Sequence, residues 1–242
     1  MVYISCPQNK NLKMNAIIYR LRKTFLLPGI SLLLMLSSLP LTANTQYPVG
    51  LTPELPTVTV SHQGKEITIK RIQDTDHRLI DDFAKTSRPC PPFCIHPMSA
   101  APGVETVGEL ELIDFVKNQV KQGKGLLIDA RMPKFFNSET IPGAINIPFV
   151  LFTGENADKV ISLLGATEKD GKKDFSKAKE LTLFCNGPWC DQSPRAIKAL
   201  LKAGYPAKKL KYYRGGMQLW KIFSLTTVLP QTNTVDEKQT NG

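Results

Sequence analysis

The chain has 242 residues, 42% hydrophobic and 21% charged, enough apolar material for one domain of ordinary size plus further segments. Its formal charge of +10 raises the question of nucleic acid, but Lys10, Lys13, Arg20, Arg22 and Lys23 all precede residue 44, a stretch with no acid. Removing those five from the 31 basic residues leaves 26 against 21 acidic ones, and with no aromatic-interleaved basic stripe the charge reads as a solvated surface and not as a nucleic-acid interface.

In chain order, Arg20, Arg22 and Lys23 precede an apolar run from Phe25 to Leu41, and Leu41-Thr42-Ala43 has the small-residue pattern of a cleavage site. Residues 1–43 therefore read as a secretory signal peptide. The polar stretch from Met1 to Lys13 is unlike a leader and points to a translation start at Met14. An uncleaved membrane anchor is the alternative for a run of this length; Pro28, Gly29 and Pro40 favour cleavage, and hence a periplasmic protein that is not held at a membrane. Cys6 falls in the discarded part, which leaves Cys90, Cys94, Cys185 and Cys190 in a compartment that tolerates disulfides.

Residues 44–103 read as a linker followed by an accessory segment. The alternation of Val58 and Val60, then Ile67 and Ile69, with Gly64 between them predicts a β-hairpin. Residues 78–85 suit a short helix. These elements are too few for a core of their own, so the segment is expected to pack on the α/β region C-terminal to it. Next comes Cys90-Pro-Pro-Phe-Cys94, a stiff turn with three readings: a structural disulfide, a redox dithiol exchanging with other cysteines, or a metal site with His96. His62, His77 and His96 all lie upstream of the α/β region and read as surface or packing residues.

From Thr106 the pattern is α/β. Glu109–Val120 is an amphipathic helix, Leu126–Ile128 a buried strand ending in Asp129-Ala-Arg131, and Ile141–Pro148 an extended run bounded by prolines. Thr153–Leu164 is expected to be helical, Asp170–Lys179 a Lys-rich surface connection, Lys209–Tyr213 a strand ending in Arg214-Gly-Gly216, and Met217–Ile222 a last helical turn or two. Residues 230–242 read as a disordered tail.

The chemistry centres on residues 181–204. Leu181–Phe184 is a buried strand, and Ala196, Ile197, Leu200 and Leu201 lie on one face of a helix that Ser193 and Pro194 would start and Gly204 would stop. The intervening loop, Cys185-Asn186-Gly187-Pro188-Trp189-Cys190-Asp191-Gln192-Ser193, puts Cys185 at the carboxyl end of a strand, under loop amides and facing a helix start. Such a site favours an anion. A helix end alone is worth about 0.3–1 kcal/mol, which lowers a cysteine pKa and raises its nucleophilic fraction. Gly187 permits close backbone approach, Pro188 stiffens the loop and Trp189 is a candidate pocket wall. Cys190 has three readings: acceptor of a sulfur atom from Cys185, attacker that closes a Cys185–Cys190 disulfide, or packing residue.

Leu127-Ile-Asp-Ala-Arg131 with Phe135 or Phe136 and Ile141-Pro-Gly-Ala-Ile-Asn-Ile-Pro148, then the Cys185 loop, then Tyr213-Arg-Gly-Gly216 through Trp220, resemble in order the signatures of rhodanese-like domains over residues 104–229. The resemblance implies a parallel-sheet α/β fold and sulfur transfer through a persulfide on Cys185. It implies a small sulfane-sulfur donor such as thiosulfate and a thiol acceptor or redox-protein partner; with no nucleotide-binding glycine motif and no convincing metal constellation in the sequence, no cofactor or metal is expected. Asp129 and Arg131 would then be supporting polar groups. Glu139-Thr140 stands where the family often has Gly-His, Ser224 where a glycine often follows the tryptophan, and the loop is longer and lacks a basic residue before the helix. Arg195 is the candidate to substitute for that missing charge. Thiol–disulfide chemistry using both cysteine pairs, or a silent binding module, are the competing functions.

Overall fold

A computed structural model describes residues 49–230. The expected signal peptide, the Met14 start, Cys6 and all but the first residue of the expected tail lie outside the described residues.

Strands β3 (Glu105–Val107), β4 (Gly125–Asp129), β5 (Ala144–Asn146), β8 (Glu180–Phe184) and β9 (Leu210–Tyr213) form a five-stranded sheet in the order β3-β9-β8-β4-β5. All four pairings are parallel. Both faces of β4 and β8 are buried, which is why each reads as a continuous apolar run and not as an alternation. Leu181 and Leu183 face one core with Ile128, Tyr212 and the apolar side of α4 (Gln192–Lys202). Phe184 and Leu127 face the other, with Tyr213, Trp220 of α5 (Gly216–Ile222) and Leu112 of α1 (Glu109–Phe115). Helices α2 (Pro133–Ser138) and α3 (Ala157–Leu163) complete the flanks.

The accessory segment does not fold apart. An antiparallel hairpin of β1 (Val58–His62) and β2 (Lys65–Ile69) pairs Val58 with Ile69 across a turn at Gln63-Gly64. The inward residues Val58, Val60 and Ile69 join the second core beside Leu127, Ile141 and Trp220. His62 is buried and accepts the Gly143 N–H at Nδ1, 3.1 Å, and burial lowers its pKa. The chain after α5 returns to this hairpin, with Thr226 N–H donating to the Lys70 carbonyl at 3.1 Å.

Several elements differ from the sequence-based expectation. Residues 78–85 form only a single 3-10 turn, Asp82–Ala84, because nothing in that turn is buried to stabilise further helix. The Lys-rich connection contains a second hairpin, β6 (Thr167–Lys169) and β7 (Lys172–Asp174), whose Asp170-Gly171 turn has both residues at positive φ. Helix α1 ends at Phe115 and continues as a π-helical turn, Val116–Val120. A 3-10 turn, Gly154–Asn156, occupies the start of the expected 153–164 helix, so α3 begins at Ala157.

Ile69 is fully buried among residues of the domain core, so Ile69→Ala should cost about 2–5 kcal/mol. Chemical denaturation should show one cooperative transition shifted as a whole; an early separate loss of the hairpin would mean that it is not part of the core.

Candidate active site

Strand β8 delivers Cys185 to the carboxyl edge of the sheet, and α4 begins seven residues later. The loop between them is held from beneath by α5. The Cys185 carbonyl accepts the Met217 N–H at 3.0 Å and the Asn186 carbonyl accepts the Gln218 N–H at 2.8 Å, so two otherwise orphaned amides of the first turn of α5 are used on the loop. This contact requires Gly216: its φ is +55°, and a Cβ there would lie 2.3 Å from the Cys185 carbonyl oxygen. Gly187 is required for the same docking, since a Cβ would come within 2.8 Å of Gln218 Cβ. Within the loop, Cys190 N–H donates to the Gly187 carbonyl at 2.9 Å.

The Cys185 sulfur is enclosed, the residue being 2% exposed. Ser193 Oγ donates to it at 3.1 Å, and as a thiol it can donate to the Cys190 carbonyl at 3.3 Å. Burial pushes the Cys185 pKa up, but hydrogen bonds from the Cys190 thiol, the Ser193 hydroxyl and the amides of Ser193 and Gly187 outweigh it and bring the pKa below its ordinary value. Cys190 shifts the other way: its hydrogen bond to Cys185 and its own burial hold it protonated. The pair is therefore asymmetric, with Cys185 the thiolate and Cys190 the donor. Both are free thiols.

The Ser193 hydroxyl is thus used on sulfur and not on capping the helix. The N-cap position of α4 belongs to Asp191, whose carbonyl accepts the Arg195 N–H at 2.9 Å, and the helix starts two residues earlier than expected, at Gln192 instead of Pro194. Arg195, the candidate to stand in for the basic residue missing from the loop, makes its contacts with Phe149 and Asp191. Its guanidinium lies 4.6 Å from the Phe149 ring centroid and 3.8 Å from Asp191, with most of the side chain in solvent.

Asp129 and Arg131 form a buried ion pair at 2.7 Å, with Arg131 Nε also bonded to the same carboxylate at 2.9 Å. Thr140 Oγ1 donates to that carboxylate at 2.8 Å, and Arg131 reaches on to the Glu139 carbonyl at 2.6 Å and Asn186 Oδ1 at 3.3 Å. Thr140 therefore serves the carboxylate with its side chain, and Glu139 the arginine with its main-chain carbonyl only.

Residues 83–97 lie across the outside of the loop. His96 N–H donates to the Pro188 carbonyl at 2.9 Å, and Arg214 donates to the His96 carbonyl at 2.8 Å. The Phe93 ring stands edge-on to Trp189, centroids 5.2 Å apart, and Arg88 lies over both rings at 4.9 and 4.5 Å. Cys90 and Cys94 are joined as a disulfide. His96 Nε2 has no hydrogen-bond partner, and among the described residues no group of three His, Cys, Asp or Glu side chains is placed to hold a metal. Between this segment and the domain is a cavity of 590 Å³, lined in part by Arg88, Phe93, Arg131, Asn186, Trp189 and Lys221. Arg88, Phe93 and Lys221 are absent from the sequence-based site; the only local signal for the first two is their position around the paired cysteines.

Gly216→Ala should destabilise the protein by about 1–3 kcal/mol from backbone strain alone, with a further loss from the clash, seen as a lowered Tm and as altered Cys185 reactivity. Because the Cys185 pKa lies below that of an ordinary cysteine, its thiolate persists to lower pH than a free thiol; thiolate absorbance should titrate below the unfolded-chain range, and Ser193→Ala should move it upward. A midpoint unmoved by that substitution would remove the hydroxyl from the anion's support.

Residues 112–222 match the family model described as rhodanese-like domain. An HTH-type transcriptional regulator of Mycobacterium tuberculosis is 29% identical over 103 residues, covering 43% of this chain and 37% of that protein, so the chain spans little more than a third of the curated relative it matches. Among solved structures, a human single-domain sulfurtransferase is 24% identical, covering 49% of this chain and 96% of that one, TM-score 0.34. The As-Sb reductase of Leishmania major is 22% identical, covering 49% and 79%, TM-score 0.37. The thiosulfate sulfurtransferase of Pseudomonas aeruginosa is 20% identical, covering 53% and 21%, TM-score 0.36. With the family match spanning β4, the Cys185 loop and α5, the chain carries a rhodanese-like domain over residues 112–222.

Proposed function

We propose that the protein is an exported sulfurtransferase that carries sulfane sulfur as a persulfide on Cys185. The observation that carries this reading is the Ser193 hydroxyl bonded to the Cys185 sulfur at 3.1 Å in a loop that also aims the Gly187 and Ser193 amides at it. The thiolate attacks the outer sulfur of a donor. The donor's S–S bond breaks, its remaining fragment leaves with the electron pair, and a Cys185 persulfide anion forms. A thiol acceptor, as thiolate, then attacks the terminal sulfur, takes it as an acceptor persulfide and regenerates the Cys185 thiolate. The donors that support the thiolate would also support the terminal sulfur anion. No cofactor takes part in either step.

Substrate choice follows from charge. Arg195 is engaged over Phe149, and Arg131 is fully committed to Asp129, Glu139 and Asn186. That pairing supports a singly charged alkyl persulfide over a dianion such as thiosulfate. Export to the periplasm rests on Arg20, Arg22 and Lys23 followed by the apolar run to Leu41.

Cys190 supports a second reading. It lies five residues after Cys185 in the same loop, with its carbonyl 3.3 Å from the Cys185 sulfur. Attack of Cys190 on the Cys185 sulfur of the persulfide would close a Cys185–Cys190 disulfide and expel hydrosulfide, leaving a two-electron oxidised protein that a thiol reductant must restore.

Intact mass after incubation with polysulfide, glutathione persulfide or thiosulfate separates these readings. A gain of about 32 Da (one sulfur atom) should map to Cys185, disappear in Cys185→Ser and survive in Cys190→Ser. A loss of about two hydrogens with sulfide release, abolished in Cys190→Ser, would favour the second reading, and no adduct with any donor would leave a binding module.

A further inference from the structure

The chemistry proposed above needs Cys185 to meet a donor, yet the residue is 2% exposed and its neighbour Cys190 is 7% exposed. Something over the loop must move. The loop is bound to α5 from one side through backbone bonds that a glycine makes possible, and to Arg131 from another through a fully paired buried network. On its outer side the loop meets the segment from Phe83 to Pro97, at Pro188 and Trp189.

That segment is anchored at both ends. At its start, Lys221 pairs with Asp81, and Gln218 Nε2 donates to the Phe83 carbonyl at 2.7 Å. At its end, the Pro188 carbonyl and Arg214 hold His96, and Arg214 Nε also donates to the Pro97 carbonyl at 3.2 Å. Between the anchors, the ring and cation contacts to the loop are those of Phe93 and Arg88 with Trp189. Phe93 sits inside the turn that the Cys90–Cys94 disulfide closes, and its N–H donates to the Pro89 carbonyl at 3.0 Å. The disulfide therefore restricts the turn that presents Phe93 to Trp189, while Cys90 itself is exposed to solvent. Phe93, Arg88 and Trp189 also wall the cavity that reaches Asn186, the residue after Cys185.

We propose that the Cys90–Cys94 disulfide is a redox-modifiable latch: reduction by a dithiol frees the Arg88–Phe93 stack from Trp189 and opens the way to Cys185. The inference rests on the sulfurtransferase reading for its purpose but not for its mechanics. In the exchange, a dithiol's thiolate attacks one sulfur of the Cys90–Cys94 bond and forms a mixed disulfide. Its second thiol then displaces the protein cysteine. Two electrons and two protons pass to the turn, and the reductant leaves as its own disulfide. The anchors at Phe83 and His96 do not depend on that bond, so the opening is local and reversible.

The test is the rate at which iodoacetamide modifies Cys185, followed by peptide mass mapping of the full chain in a Cys190→Ser background, where no Cys185–Cys190 bond can respond to reductant. Dithiothreitol treatment should raise the rate by about tenfold, a change equal to losing about 1.4 kcal/mol of contact, within reach of one aromatic and one cation–π pairing. Adding Cys90→Ser and Cys94→Ser should give the fast rate without reductant, and Phe93→Ala should give it with the disulfide intact. Equal rates before and after reduction would overturn the latch, as would a slow Phe93→Ala protein. If the double serine variant does not fold, the reductant and Phe93→Ala arms decide the matter alone. A missing persulfide adduct beside a large rate ratio would remove the sulfurtransferase reading and leave the latch standing; an adduct with no rate ratio would do the reverse.

Discussion

The site depends on the meeting of two stretches of main chain, the carbonyls of Cys185 and Asn186 and the first amides of α5. An isolated loop of this kind loses much conformational freedom when it is held in one shape. Here the helix start needs acceptors and the loop has carbonyls to offer, so each satisfies the other's buried polar groups. Gly216 makes the approach possible because its φ of +55° is reached without strain and because it has no Cβ, which would lie 2.3 Å from the Cys185 carbonyl oxygen. The result is a turn whose remaining amides are left free to face a sulfur anion. Sheet order adds to this, since β8 lies between β9 and β4, and α5 directly follows β9.

The Asp129–Arg131 pair acts at a different level. Removing two charges from water is costly, and such a pair is weak evidence for stability in itself. Its use here is geometric. Thr140 Oγ1 and the Arg131 amide help saturate the carboxylate, and the arginine gives its remaining donors to the Glu139 carbonyl and Asn186. A fully satisfied buried network has one arrangement, and so it transmits a fixed position from β4 to the second residue of the loop.

How much of this is legible in the sequence depends on whether the signal is local. The buried strands at Leu126–Ile128 and Leu181–Phe184 announce themselves because parallel strands covered on both faces contain little but apolar residues. The hairpin at Val58–Ile69 announces itself by alternation, since one face packs against Leu127 and Trp220 while the other stays wet. The three-residue strand β3 and the wholly exposed β6 carry no such pattern, being too short or unburied to show a period. Residues 78–85 show the opposite failure, a helical composition with Leu79, Ile80 and Phe83 at helical spacing but none of them fully buried. At the site, Cys185 is legible from strand, loop and helix start together. The choice between two uses for one Ser193 hydroxyl is not, because a helix cap and a thiolate ask for the same residue type. Nor is the stack of Arg88, Phe93 and Trp189, which joins residues far apart in the chain and leaves no trace in local spacing.

The accessory segment therefore has two separable relations to the domain. Its hairpin contributes side chains to the second core, so it belongs to the fold as firmly as α1 does. The chain from Asp81 to Pro97 contributes no fully buried hydrophobic residue to either core, only the half-buried Phe83 at its start, and meets the domain through point contacts around the loop. Regions that open below the global unfolding free energy are those with few buried apolar contacts and many exposed polar ones. A short covalent closure in such a region has little effect on the core, whose packing it does not touch, and a large one on how long the cover stays seated. That difference is what allows chemistry at the exposed Cys90 and half-buried Cys94 to act on a buried thiolate without loosening the sheet that positions it.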